Sequence, residues 1–141
     1  MISGPSSFDQ HAENYVKFVE SAMPFASPAL EYYTRYKASH IARFLGPQNT
    51  PKILDCGCGV GLLLGHLLHT LPHARLHGYD ISHKSLSCIP DHIRRQVKII
   101  AHPDNLDHDY ELILVINVLH HLQPAERTLF LGDLVKRLAP R

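Results

Sequence analysis

Residues 53–61 read ILDCGCGVG, an apolar strand that runs into a glycine-rich turn, and the helical pattern LLLGHLLHTL of residues 62–71 follows at once. Gly57, Gly59 and Gly61 sit two apart, just beyond the acidic Asp55. Glycine has no Cβ, so its backbone can approach a ligand closely, and it accepts positive φ at no steric cost. The helix that follows aims free N–H groups and partial positive charge at whatever the turn holds. The stretch therefore reads as a ligand cradle. The plain alternative is a glycine-rich strand–helix turn that binds nothing.

The spacing narrows the ligand. A dinucleotide-binding turn requires G-x-G-x-x-G. Counting from Gly57 puts Leu62 at the third glycine, and counting from Gly59 puts Leu64 there. Either side chain would hold strand and helix apart where that motif needs them close. A P-loop fails too, since no Gly-Lys-Ser/Thr follows. What remains is D-x-G-x-G-x-G over residues 55–61, which resembles motif I of the class I S-adenosylmethionine-dependent methyltransferases.

Two later stretches support that resemblance. Residues 75–82, RLHGYDIS, form an apolar strand ending at Asp80, with Ser82 placed to cap a helix. Asp80 follows Gly61 by nineteen residues, room for one helix and one strand. An acid there lies beside the first glycine turn of a βαβ unit and can accept from both hydroxyls of a ribose. G-x-D-x-S is similar to motif II of the same family. Residues 111–122, ELILVINVLHHL, carry six apolar residues in the seven from Leu112 to Val118, a pattern suited to a strand buried on both faces. Its tail NVLHHL resembles the family's fourth-strand motif, with Asn117 where an acid or small polar residue is usual.

The resemblance covers roughly residues 8–141 and implies an α/β fold, a Rossmann-like doubly wound parallel sheet with strand order 3-2-1-4 and N-terminal helices. It implies one domain over residues 1–141, with a helical lid over 1–47 and the α/β core over 48–141. The implied cofactor is S-adenosyl-L-methionine. Gly57, Gly59 and Gly61 would seat its amino-acid end, and Asp55 would help hold the ammonium. Asp80 would bind the ribose and Asn117 would face the methionine portion, with Cys58 and Ile81 as further cofactor-binding positions. The family's acid after the third strand, which accepts from adenine, aligns with His102, and Asp104 two residues on is the nearest carboxylate; a polar turn on Pro103-Asp104-Asn105 is the alternative. His120 and His121 are candidate bases, since histidine titrates near pH 6.5. FDQHAENY at residues 8–15 resembles a lid segment in which the tyrosine, here Tyr15, faces the site.

Elsewhere the chain is ordinary. It has 141 residues, 45% of them hydrophobic, and a formal net charge of +1, which suits one domain and no strong nucleic-acid footprint. No apolar run of eighteen residues suggests a membrane span, and no signal peptide is visible, so cytoplasmic residence is expected. Cys56, Cys58 and Cys88 read as reduced thiols, and C-x-C is not zinc-finger spacing. His66 and His69 stand at i, i+3 without an evident third ligand, so no metal is expected. Ser7 and Gln10 read as a capping box, with Phe8, Ala12, Tyr15, Val19 and Ala22 following at helical spacing. A second helix is expected from Pro28 to about Leu45, stopped by Gly46-Pro47. Strands are expected at 52–56, 75–79, 97–101 and 111–117, and helices at 61–71, 83–89 and 124–138. The last helix would pack with Leu131, Leu134, Val135 and Leu138 on one side.

The chain stops at Arg141, where the family usually has a Gly-Gly turn into a fifth strand. The expectation is therefore a fragment lacking its C-terminal half, or one partner of a homo-oligomer that covers an apolar fourth-strand edge. The functional expectation is methyl transfer to a small-molecule acceptor, with a non-catalytic cofactor-binding or scaffold domain as the alternative. A nicotinamide-binding domain is disfavoured by Leu62.

Overall fold

The computed structural model describes residues 28–47 and 50–140. Helix α1 spans Pro28–Leu45. It stops at Gly46, whose φ of 75° lets its N–H reach back to the Ala42 carbonyl at 3.0 Å. The core then alternates: β1 Lys52–Cys56, α2 Leu62–Thr70, β2 Arg75–Tyr79, α3 His83–Ser87, α4 Asp91–Arg94, β3 Lys98–Ile100, β4 Leu112–Leu114 and α5 Pro124–Val135. The expected helix of residues 7–22 lies outside the described residues.

All strand pairings are parallel, in the order β3-β2-β1-β4. This is the expected doubly wound arrangement, and it places the carboxyl ends of β1 and β2 side by side. Two apolar clusters cover the sheet. Ile53, Leu64, Leu67, Leu76, Ile89 and Ile93 anchor the first, against which α1 sets Ala38 and Ile41. Leu54, Cys56, Ile100, Leu106, Tyr110 and Leu134 form the second. Gly78 permits this packing on β2: a Cβ there would lie 2.7 Å from Leu64 Cδ1 and 3.0 Å from Cys58 Sγ.

Several elements differ from their expected bounds. β4 is Leu112–Leu114, not 111–117, because it pairs only with Ile53–Asp55 before β1 turns away into the glycine stretch. Leu112 and Ile113 are half-buried at this edge, so the strand is not enclosed on both faces. β3 is trimmed to Lys98–Ile100. The expected helix 83–89 ends at Ser87, and Pro90 opens α4, which the sequence reading missed; the Pro90 carbonyl accepts from the N–H groups of Ile93 and Arg94, both at 3.0 Å. α5 ends at Val135 because the chain is drawn to the segment just before β4, where Leu138 bridges Tyr110 in parallel and the Ala139 N–H donates to the Tyr110 carbonyl at 2.8 Å. Its packing face is Phe130 and Leu134; Val135 is 61% exposed, and Leu131 and Leu138 are exposed as well.

Candidate functional site

The turn after β1 has the geometry its glycines foretell. Gly57, Gly59 and Gly61 take φ of 92°, 54° and 81°. Gly57 and Cys58 N–H both donate to the Tyr79 carbonyl, at 2.7 and 3.0 Å, so the turn is pinned to the end of β2. A Cβ on Gly57 would fall 2.2 Å from Val118 Cγ2, whereas one on Gly59 would meet nothing within 4 Å. The turn is thus closed on its Val118 side and open at Gly59.

Asp80 completes the clamp. Its Oδ2 accepts from Gly59 N–H and its Oδ1 from Ser82 N–H, both at 2.8 Å. Ser82 in turn caps α3, its Oγ accepting from Ser85 N–H at 3.2 Å. One carboxylate therefore joins the glycine turn to the start of α3. Two backbone donors leave acceptor capacity on each oxygen, since a carboxylate offers about four lone-pair positions.

Asp55 is the buried acid, 3% exposed at the end of β1. Burial pushes its carboxyl up to about 7; the charge of Asp80 adds to this, and Lys37 on α1 works against it. The neighbouring thiols are silenced the same way. Burial pushes Cys56 up to about 12 and Cys58 up as well, helped by Asp55 and Asp80.

These groups share a cavity of about 740 Å³. Of the sequence-derived candidates, Asp55, Gly57, Cys58, Gly59, Asp80, Ile81, Asn117, His120 and His121 line it. Asn117 has φ of 58°, a turn conformation that Asn tolerates. His120 and His121 sit in the 3₁₀ turn Leu119–His121, exposed, with ring centroids 3.8 Å apart. Gly61 is not among the lining residues: it begins α2 and packs on Ile89, whose Cγ2 a Cβ would meet at 3.3 Å. Asp104 is not brought to the cavity either. It is exposed in the 3₁₀ turn Pro103–Asn105, with Oδ2 3.4 Å from His102 Nδ1. Tyr15 lies outside the described residues. His66 faces Glu31 of α1 at 3.3 Å, and among the described residues no cluster of three metal-ligating side chains occurs.

Sequence reasoning missed the wall given by α1, where Leu30, Thr34 and Lys37 line the cavity. Their one-turn spacing marks a helix face, but only the fold shows that this face overlooks β1. It also missed Val118 as the stop behind Gly57; the signal was its place inside NVLHHL.

An enclosed acid, an open glycine amide turn and two ring nitrogens at the rim can together take a ligand with a cationic head and a hydroxylated middle. The chain belongs to the methyltransferase domain family, whose model matches residues 54–141. That family's methyl donor is S-adenosylmethionine. An uncharacterised protein of a Synechococcus species is 33% identical over a 99-residue alignment that covers 64% of this chain and 23% of that protein. The crystal structure of a TehB-like S-adenosylmethionine-dependent methyltransferase from Corynebacterium glutamicum superposes with TM-score 0.69 at 19% identity, covering 93% of this chain and 68% of that one. Magnesium protoporphyrin IX methyltransferase of Synechocystis PCC 6803, with S-adenosylmethionine bound, gives TM-score 0.61 at 21% identity, covering 74% of this chain and 54% of that one. The chain thus spans about a quarter of its curated relative and about half of the Synechocystis enzyme.

Proposed function

We propose that this chain binds S-adenosylmethionine in the cavity above β1 and β2 and serves methyl transfer to a small-molecule acceptor. The observation that carries the reading is the pairing of a buried, charge-poor Asp55 with an amide turn open at Gly59. A buried acid with a raised pKa is short of a cation. The α-ammonium of the cofactor is such a cation, and the Gly59 opening gives its amino-acid end room to sit against the backbone. Asp80, already fixed by two amides, keeps acceptor positions for ribose hydroxyls.

When bound, the cofactor supplies a methyl group on a positively charged sulfur, ready for displacement. The chain's own work is then placement. Holding two reactants in line can supply about 7–11 kcal/mol of the barrier at best. Asn117 and the turn 118–121 form the wall from which the acceptor is presented. His120 or His121 receives the acceptor's proton on a ring nitrogen if the acceptor atom carries one. Lys37 and Thr34 close the side toward α1. Cytoplasmic residence belongs to the same reading, since buried thiols at Cys56 and Cys58 suit a reducing compartment.

Isothermal titration with the cofactor tests the site. Asp80→Ala is expected to bind about 1–3 kcal/mol more weakly, through lost charge-assisted bonds and a loosened Gly59 turn. Equal affinities would remove Asp80 from it. Transfer of a labelled methyl group to a panel of small acceptors separates an enzyme from a scaffold that binds without turnover.

A further inference from the structure

The acids of the cavity are committed, and its lysine is not. Asp55 and Asp80 are the carboxylates that line it among the described residues. In the binding mode above the first meets the ammonium and the second the ribose, while Asp80 also holds the Gly59 and Ser82 N–H groups. Lys37, His120 and His121 line the same cavity, the lysine from α1 and the histidines from the turn after β4. Lys37 is half-buried, and among the described residues no carboxylate forms an ion pair with it. Its field reaches Asp55, yet the two do not pair. Behind the histidines the half-buried Arg127 donates from Nε to the Leu122 carbonyl at 3.0 Å. The neighbouring Glu126 is engaged elsewhere: its Oε2 accepts from Gln123 N–H at 2.9 Å and caps α5.

We infer that the methyl acceptor is a small carboxylic acid with an apolar body, its carboxylate held by Lys37 on the wall given by α1; the inference rests on the cofactor site proposed above. A half-buried ammonium without a counter-ion is costly, and an anionic guest relieves it. Lysine is a compact point charge on a flexible stem, which suits a single carboxylate and demands no fixed fork geometry. His120 and His121 add ring N–H donors, since a neutral imidazole carries one. Arg127 adds positive field from behind Leu122. Leu30, Leu63, Ile116, Leu122 and Phe130 supply apolar wall for the rest of the molecule. A cavity with apolar walls and a cation at one place selects through the charged group, because an uncharged analogue leaves that cation unpaired.

Amide chemical-shift titration of the full chain, saturated with S-adenosylhomocysteine, tests this without turnover. Two matched pairs serve as probes: cinnamate with cinnamamide, and octanoate with octanamide. Each acid is expected to bind about fivefold or more tighter than its amide. Lys37→Gln and Lys37→Met, each checked for fold by circular dichroism, should bring both ratios to about one, whereas Lys37→Arg should keep the preference. All three variants should bind S-adenosylhomocysteine within about threefold of the parent by isothermal titration. No binding of either acid, equal binding of acid and amide by the parent, or a preference that survives in both charge-free variants would overturn the inference and leave the cofactor site standing. So would a loss of cofactor affinity beyond about threefold in folded Lys37→Gln and Lys37→Met, which would give the lysine to the cofactor's own carboxylate. A parent chain that does not bind S-adenosylhomocysteine would overturn the site itself, and this inference with it.

Discussion

Asp55 holds a proton that an ordinary aspartate would have lost. With its folded pKa near 7 and an unfolded value near 3.8, the folded state binds more protons between these limits, so this group's contribution to stability falls as pH rises through the window. A bound ammonium would reverse the preference by favouring the carboxylate. Cofactor affinity should therefore climb as pH rises through about 7 and level off near 8, where an α-ammonium itself loses its proton. Asp55→Asn should flatten that climb, weaken binding, and raise the melting temperature of the ligand-free protein at pH 8. Titration calorimetry from pH 5.5 to 8 checks the first part, and a pH-independent affinity for the parent would contradict it. The sequence showed an acid at the end of a strand; its protonation depends on burial and on Asp80, which lies one strand and one helix away.

At the scale of elements, the turn between β1 and α2 was legible because three alternating glycines state a backbone requirement in the sequence itself. What stands behind Gly57 was not. Val118 lies four residues beyond β4, just before the 3₁₀ turn Leu119–His121, and only the pairing of β4 with β1 brings it there. Gly57→Ala should cost about 1–3 kcal/mol or more, combining a positive φ with a Cβ driven into Val118 Cγ2. Adding Val118→Ala should recover the steric part alone. Urea unfolding of both variants measures the two contributions, and an unchanged midpoint for Gly57→Ala would refute the contact. The short α4 escaped notice for a related reason. Four residues after a proline carry too little periodicity to announce a helix, and Ile93 earns its place by packing into the core.

For the molecule as a whole, the alternation of strands and helices together with the three motifs carried the sheet order. Its ends were less legible, because β4 stops where β1 leaves it and α5 where Tyr110 captures the chain. The opening ends of the strands meet in a polar network on the second core cluster. Asp107 faces Lys52 at 3.1 Å and Lys98 at 2.8 Å, which together hold its carboxyl down to about 2. Tyr110 Oη accepts from Asp107 N–H at 3.2 Å and lies 3.0 Å from His77 Nδ1, an arrangement that suits a neutral imidazole. Burial lowers the His77 pKa, aided by Lys98, Lys52 and Arg75 and opposed by Asp107. The unfolded chain then takes up the histidine proton first, so stability is lost as pH falls below about 6.5, and the Asp107 contribution goes as pH falls from 3.8 toward 2. Asp55 acts in the opposite sense over part of this range. Urea midpoints measured from pH 7.5 to 5 in an Asp55→Asn background should therefore decline, and His77→Gln should shallow the decline. A flat profile in that background would exclude His77 as a proton-sensitive support.

The clamp made by Asp80 has a consequence for timing. Because its two oxygens already hold Gly59 and Ser82, the glycine turn has its shape before any guest arrives. The entropy of ordering that backbone is lost while the chain folds, and little is left to lose on association. Entry should then be governed by how quickly the mouth admits a molecule, with the mould beneath it standing ready.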